Sequence, residues 1–149
     1  GECVHFYDLC CWLLDAAPVA VRAERVAGSG ADVVPEDNLT TLLRFPDGSL
    51  ATIVYCSVGH PGIPKERAEM YGGTGGIVID DYRSMVFAGL PGKTVRKGRQ
   101  DKGQYGLMEH FVRAVRGEAE LSITADDGLR ATRIACDALA QARGTEATP

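Results

Sequence analysis

Two runs rich in Leu, Ile, Val, Thr and Tyr, residues 38–45 and 49–58, are separated only by Pro46-Asp47-Gly48. Proline presets the backbone of the first turn residue, and glycine takes a positive φ without steric cost, so the two runs are tied into an antiparallel hairpin. That pairing commits the middle of the chain to a sheet. Val19, Val21, Ala23 and Val26 nearly alternate with Arg22, Glu24 and Arg25, the pattern of a strand with one solvated face, and residues 27–37 read as a loop. Beyond the His60-Pro61-Gly62-Ile63-Pro64 loop, residues 65–71 alternate as a further strand. Gly72-Gly73-Thr74-Gly75-Gly76 then breaks it, at a second hairpin turn. Short strands follow over 77–80, 84–88 and 93–97.

The ends of the chain have a different period. Tyr7, Cys10, Cys11 and Leu14 recur at helical spacing, and the helix over 4–14 stops before the Ala17-Pro18 step. Met108, Phe111, Val112 and Val115 form one face of a second helix, with Gly117 as its terminator. Thr124 caps a final helix that has Asp126 and Asp127 in its first turn; its inward stripe is expected at Leu129, Thr132, Cys136 and Leu139, and its charged face at Arg130, Arg133, Asp137 and Arg143. The order implies an α+β domain: an open, mostly antiparallel sheet of about six or seven strands, with helices packed on one face. At 149 residues, a single domain spanning the whole chain is expected.

With 16 basic against 20 acidic residues the net charge is -4, and the basic residues Lys93, Arg96, Lys97, Arg99 and Lys102 form too short a run for a nucleic-acid face. No apolar stretch approaches the length of a membrane helix. Patterned structure begins at once after Gly1, so the chain reads as an excised piece of a larger protein. Cys3, Cys10, Cys11, Cys56 and Cys136 have no paired spacing and form no zinc pattern with the three histidines. They read as reduced, structural thiols of a cytoplasmic protein.

Neither glycine-rich stretch has the strand, G-x-G-x-x-G turn and helix that hold a dinucleotide. Gly28-Ser29-Gly30 runs into Pro35, and Gly73-Thr74-Gly75-Gly76 runs into the β-rich Ile77-Val78-Ile79. No cofactor-binding residue and no metal site is therefore assigned to this chain. His5 and Asp8 lie on neighbouring sectors of the first helix. An imidazole can relay a proton from a carbinol, and a carboxylate can orient it. Taken alone, such a pair is more often a cap and a packed polar residue. Lys65 and Arg67 alternate onto one strand side, where they either hold an anionic substrate group or belong to a surface ion-pair row. His60, in a proline-rich loop, and His110, beside Phe111, are given no role.

The opening Gly1-Glu2-Cys3-Val4-His5-Phe6-Tyr7-Asp8-Leu9, followed by Trp12-Leu13-Leu14, resembles the start of the C-terminal domain of the Gfo/Idh/MocA oxidoreductases. Phe45-Pro46-Asp47-Gly48-Ser49-Leu50-Ala51, Pro64-Lys65-Glu66-Arg67-Ala68-Glu69, Tyr71-Gly72-Gly73, Asp80-Asp81-Tyr82-Arg83 and Asp127-Gly128-Leu129-Arg130-Ala131 resemble later segments of that domain, in the same order. The resemblance covers nearly the whole chain. It implies a parent enzyme whose N-terminal Rossmann domain, missing here, holds NAD or NADP; this part would supply the substrate wall and an oligomer-forming sheet. His5 takes the place of the family's catalytic histidine. The aspartate that often precedes it falls at Gly1, leaving Glu2 as the nearest acid. Glu2, Asp8 and Lys65 are then the expected substrate-binding residues.

Two functions follow as expectations. In one, the chain is the substrate side of an NAD(P)-dependent oxidoreductase acting on a sugar or polyol, inactive by itself and binding no nicotinamide alone. In the other, it is a non-catalytic sheet module that self-associates into a homo-oligomer, because residues 50–58 carry apolar side chains on both faces.

Overall fold

The computed structural model describes residues 2–28 and 33–144. Element order is helix α1 (Cys3–Leu14), strands β1 (Ala20–Arg25), β2 (Asn38–Arg44), β3 (Leu50–Cys56), β4 (Arg67–Gly72), β5 (Gly75–Asp80), β6 (Ser84–Ala88) and β7 (Val95–Arg96), then helices α2 (Gln104–Val115) and α3 (Ala125–Ala142). The chain is α+β with seven antiparallel strands, as expected; their hydrogen bonds form two ladders, β1-β2-β3 and β4-β5-β6-β7. Two compact units result, one of residues 1–59 with 122–149, the other of residues 60–121.

In the first unit the hairpin forms in the register the turn dictates, Arg44 opposite Leu50 and Thr41 opposite Ile53. Gly48 sits at φ 89°, its N–H donates to the Phe45 carbonyl over 3.1 Å, and Asp47 accepts from the Ser49 N–H at 2.9 Å. Because side chains alternate along a strand, Ala23, Thr41, Leu43 and Ile53 share one face, with Val21, Ala51 and Tyr55 partly buried beside them. Helices α1 and α3 cover that face, and Cys3, Tyr7 and Cys11 are the buried side chains of α1. Phe45 and Leu43 are the best-buried apolar side chains of this core, each stabilising by about 1.5–3 kcal/mol.

The final helix begins at the expected cap: Oγ1 of Thr124 accepts from the Asp127 N–H, and Asp127 accepts in return from the Thr124 N–H at 2.8 Å. Its inward stripe differs from the expected one. Ala131, Ile134 and Ala138 are buried, whereas Leu129, Thr132 and Cys136 are exposed. Both sets fit helical spacing. The small alanines win because they let α3 approach α1 and β1 closely, and a reading weighted by side-chain size favours the wrong stripe. Cys56 and Cys136 are likewise exposed rather than buried thiols, and all five cysteines are free.

Asn38, the first residue of β2, is buried to 2% exposure. Its amide nitrogen donates to the Val34 carbonyl and to Ser57 Oγ, both at 3.0 Å, and its oxygen accepts from the Ser57 N–H at 3.0 Å and from the Cys56 thiol. That network closes the open end of the β2–β3 hairpin.

In the second unit β5 is flanked by β4 and β6, with Met70 opposite Ile77 and Ile79 opposite Met85. The glycine run supplies the β4–β5 turn, Gly73 at φ 56°. Helix α2 ends at Gly117, φ 73°, as expected. Its apolar face is not a core, because Met108, Phe111, Val112 and Val115 are all exposed.

Candidate functional site

Helix α1 divides its side chains by angle. Cys3, Tyr7 and Cys11 are buried, His5 and Trp12 fall on the opposite, exposed sector, and Asp8 lies at the flank between them. His5 is exposed in the first turn, its N–H donating to the Glu2 carbonyl at 3.2 Å. Glu2 is the N-cap but makes no side-chain cap hydrogen bond, so its carboxylate is not consumed in holding the helix start. Burial raises the Tyr55 phenol above its ordinary range, and the negative charge of Glu2 raises it further, which places the Glu2 carboxylate beside the end of β3. Gly1, where the related aspartate would stand, lies outside the described residues.

Asp8 is half-buried one turn further on. Its charge helps to raise the Cys11 thiol, after burial, while the Arg130 guanidinium of α3 opposes the rise. Asp8, Cys11 and Arg130 therefore meet where α1 crosses α3. Arg130 also donates to Asp127 at 2.8 Å, and its Nε is buried with no oxygen or nitrogen partner among the described residues.

Glu2, His5 and Asp8 thus share the first two turns of one helix but are aimed differently: Glu2 towards Tyr55, Asp8 towards Cys11, and His5 to solvent. Lys65 belongs to the second unit, where it is exposed in the loop before β4 and does not share a strand side with Arg67, the first residue of that strand. Arg67 follows the ion-pair reading, with 2.6 Å to Glu69 and 4.0 Å to Asp80. His60 is exposed and accepts from the Gly62 N–H at 3.0 Å.

An open cleft of about 410 Å³ in the first unit escaped the sequence reading. Pro18, Val21, Leu129 and Ile134 form its apolar wall, and Asp126, Arg130, Arg133 and Asp137, along one side of α3, supply its charged lining. The charged stripe of α3 was legible, but its juxtaposition with Pro18 and Val21 depends on the crossing of α3 over β1. Among the described residues no cluster of three or more His, Cys, Asp or Glu side chains is placed to hold a metal ion, and no helix is long and apolar enough to cross a membrane.

The sequence matches the model of the oxidoreductase family's C-terminal alpha/beta domain (GFO_IDH_MocA_C) over residues 1–146. The chain belongs to this family. Its resemblance to the Gfo/Idh/MocA oxidoreductases is therefore confirmed over nearly its entire length. No curated protein matches the sequence. Among solved structures, the UDP-N-acetylglucosamine 3-dehydrogenase GnnA from Acidithiobacillus ferrooxidans has a TM-score of 0.78 at 19% identity, covering 95% of this chain and 45% of that one. An aldose-aldose oxidoreductase from Caulobacter crescentus, complexed with glycerol, gives 0.73 at 24% identity, covering 95% and 44%. An oxidoreductase from Agrobacterium radiobacter in complex with NAD+, L-tartaric acid and magnesium gives 0.73 at 15%, covering 94% and 45%. These likenesses establish a shared fold. The chain spans less than half the length of each of these structures.

Proposed function

We propose that this chain is the substrate-side half of an NAD(P)-dependent oxidoreductase acting on a sugar or polyol, with His5 as the residue that takes the hydroxyl proton. The observation that carries the reading is the exposed imidazole at the opening of α1, on the same helix start as the Glu2 and Asp8 carboxylates, in a chain of this family. Glu2 and Asp8 are suited to accept hydrogen bonds from substrate hydroxyls, and Lys65 to hold an anionic or hydroxyl group. When substrate is oxidised, His5 receives the O–H proton as the carbinol becomes a carbonyl; NAD or NADP supplies the hydride acceptor.

Among the described residues, the glycine-rich turn does not fit the cofactor's phosphates. The Gly73-Thr74 turn joins two antiparallel strands, β4 and β5, instead of opening a helix. A separate Rossmann domain is accordingly assigned that task, which fits a chain that spans less than half of its structural neighbours. Sugar chemistry is supported by the UDP-N-acetylglucosamine dehydrogenase and aldose-aldose oxidoreductase among those neighbours. The five free thiols fit a cytoplasmic location.

The test is His5→Ala in the enzyme that joins this chain to its Rossmann domain. The reading expects kcat to fall about 10²-fold or more, with nicotinamide affinity retained. An unchanged kcat removes His5 from the chemistry.

A second reading, self-association, is favoured by the uncovered face of the first sheet, where Leu42, Leu50 and Val54 are 39%, 63% and 73% exposed. It assigns this face to a homo-oligomer and is compatible with the first. Sedimentation that shows only monomer over a concentration series would remove it.

A further inference from the structure

Helix α1 is apolar almost all round, and a helix of that kind is normally covered on every side. One side is covered within the first unit, where Cys3, Tyr7 and Cys11 are buried and α3 and β3 pack on the helix. The opposite side is left open. His5, Leu9 and Trp12 stand there at i, i+4 and i+7, with Leu13 beside them, and Trp12 and Leu13 are 70% and 44% exposed. Lone exposed apolar residues are common, but an indole next to two leucines on one stripe is a patch, and tryptophan is among the residues most concentrated at the desolvated centres of interfaces.

What covers the stripe follows from its place. On the oxidoreductase reading, on which this step rests, the hydride leaves the carbon whose O–H proton goes to His5. The nicotinamide therefore stands in contact with a substrate held at the first turn of α1. Trp12 lies on the same sector, only about 10 Å further along the axis. The domain that holds the dinucleotide is on the order of 30 Å across, so one seated over His5 reaches the indole. The charges bear on the chemistry of its surface: α1 carries no Lys or Arg, and the acids in and beside it are Glu2, Asp8 and Asp15.

We propose that the stripe His5–Leu9–Trp12 is the docking surface for the nicotinamide-holding domain, with Trp12 as its anchor, and that this domain meets it with an apolar pocket rimmed by basic side chains. Docking here does more than hold two domains together. Because His5 and Trp12 belong to one helix, seating the indole sets how far the imidazole stands from the nicotinamide.

Trp12 is the chain's only tryptophan, so 5-fluorotryptophan places a single fluorine label at the anchor. In the enzyme that joins this chain to its Rossmann domain, the same resonance is identified by its loss in Trp12→Phe. A soluble gadolinium chelate, added without nucleotide or substrate, broadens the label according to its exposure. From the chain alone to the joined enzyme the broadening should fall about fivefold or more, as for a side chain desolvated at the centre of an interface. Equal broadening in the two overturns the docking surface. So does a label already protected in the chain alone: protection that is independent of concentration would mean that another part of this chain covers the stripe, and protection that grows with concentration would assign it to a second copy. The readout needs no turnover, so the two readings fail separately. An unprotected label in an enzyme that His5→Ala inactivates removes this surface and leaves the oxidoreductase reading standing. A protected label in an enzyme that His5→Ala leaves fully active supports the surface and removes His5 from the chemistry.

Discussion

The hydroxyl of Tyr7, in the middle of α1, lies 2.8 Å from Oγ1 of Thr41 in β2, and both side chains are buried. This is the polar pin through the core that sets how α1 lies on the first sheet, directly beneath the turn that carries His5. Tyr7→Phe deprives both Thr41 and the Cys3 thiol of their bond to this hydroxyl, whereas Thr41→Val leaves Tyr7 only the weak thiol partner. Tyr7→Phe or Thr41→Val should each cost about 1–3 kcal/mol, and the double variant less than the sum of the two. Urea unfolding of the four proteins measures this, and additive costs would contradict a direct coupling.

The same burial gives the first unit an alkaline limit. Burial pushes the Tyr7 phenol up to about 12 and the Cys10 thiol up to about 11. In both cases the folded state keeps a proton that the unfolded chain has released. Their contribution is therefore present below the ordinary values of these groups, and it is lost as pH rises through the folded ones. For Tyr7 the loss should be on the order of 2 kcal/mol between pH about 10 and 12. Thermal unfolding followed across that range should show the decline, and Tyr7→Phe should flatten it.

Asn38 offers a sharper test of the hairpin's open end. Asn38→Ala removes one of the two acceptors of the Ser57 N–H, leaving the Asp37 carbonyl at 3.1 Å, and removes the donor to the Val34 carbonyl. It should destabilise the first unit by about 1–3 kcal/mol. Hydrogen exchange at Ser57 should accelerate in the variant, while exchange in β4–β6 is unchanged. Equal acceleration in both units would mean that the network has no local role.

How much of this was legible follows from the range of each interaction. Pro46-Asp47-Gly48 and the Thr124–Asp127 cap are local chemistry, and both appear where the sequence places them. Gly117 and the glycine turn after β4 are equally local. The burial of Asn38, the alanine stripe of α3 and the cleft beside Pro18 depend on what lies across from them, which residue spacing does not encode. The division of seven strands into two ladders is a further long-range outcome. At the candidate site, His5 and Asp8 could be placed on one helix from their spacing alone. That Tyr55 stands beside Glu2, and that Arg130 meets Cys11, required the fold.

The central claim, a division of labour in which this chain holds substrate and another domain holds the nicotinamide, is tested most directly by calorimetric titration with NADH and NADPH. The account predicts no binding heat from the chain alone and saturable binding once the chain is joined to its Rossmann domain. Saturable micromolar binding by the chain alone would contradict it, and would return the glycine turn between β4 and β5 to consideration as a phosphate site.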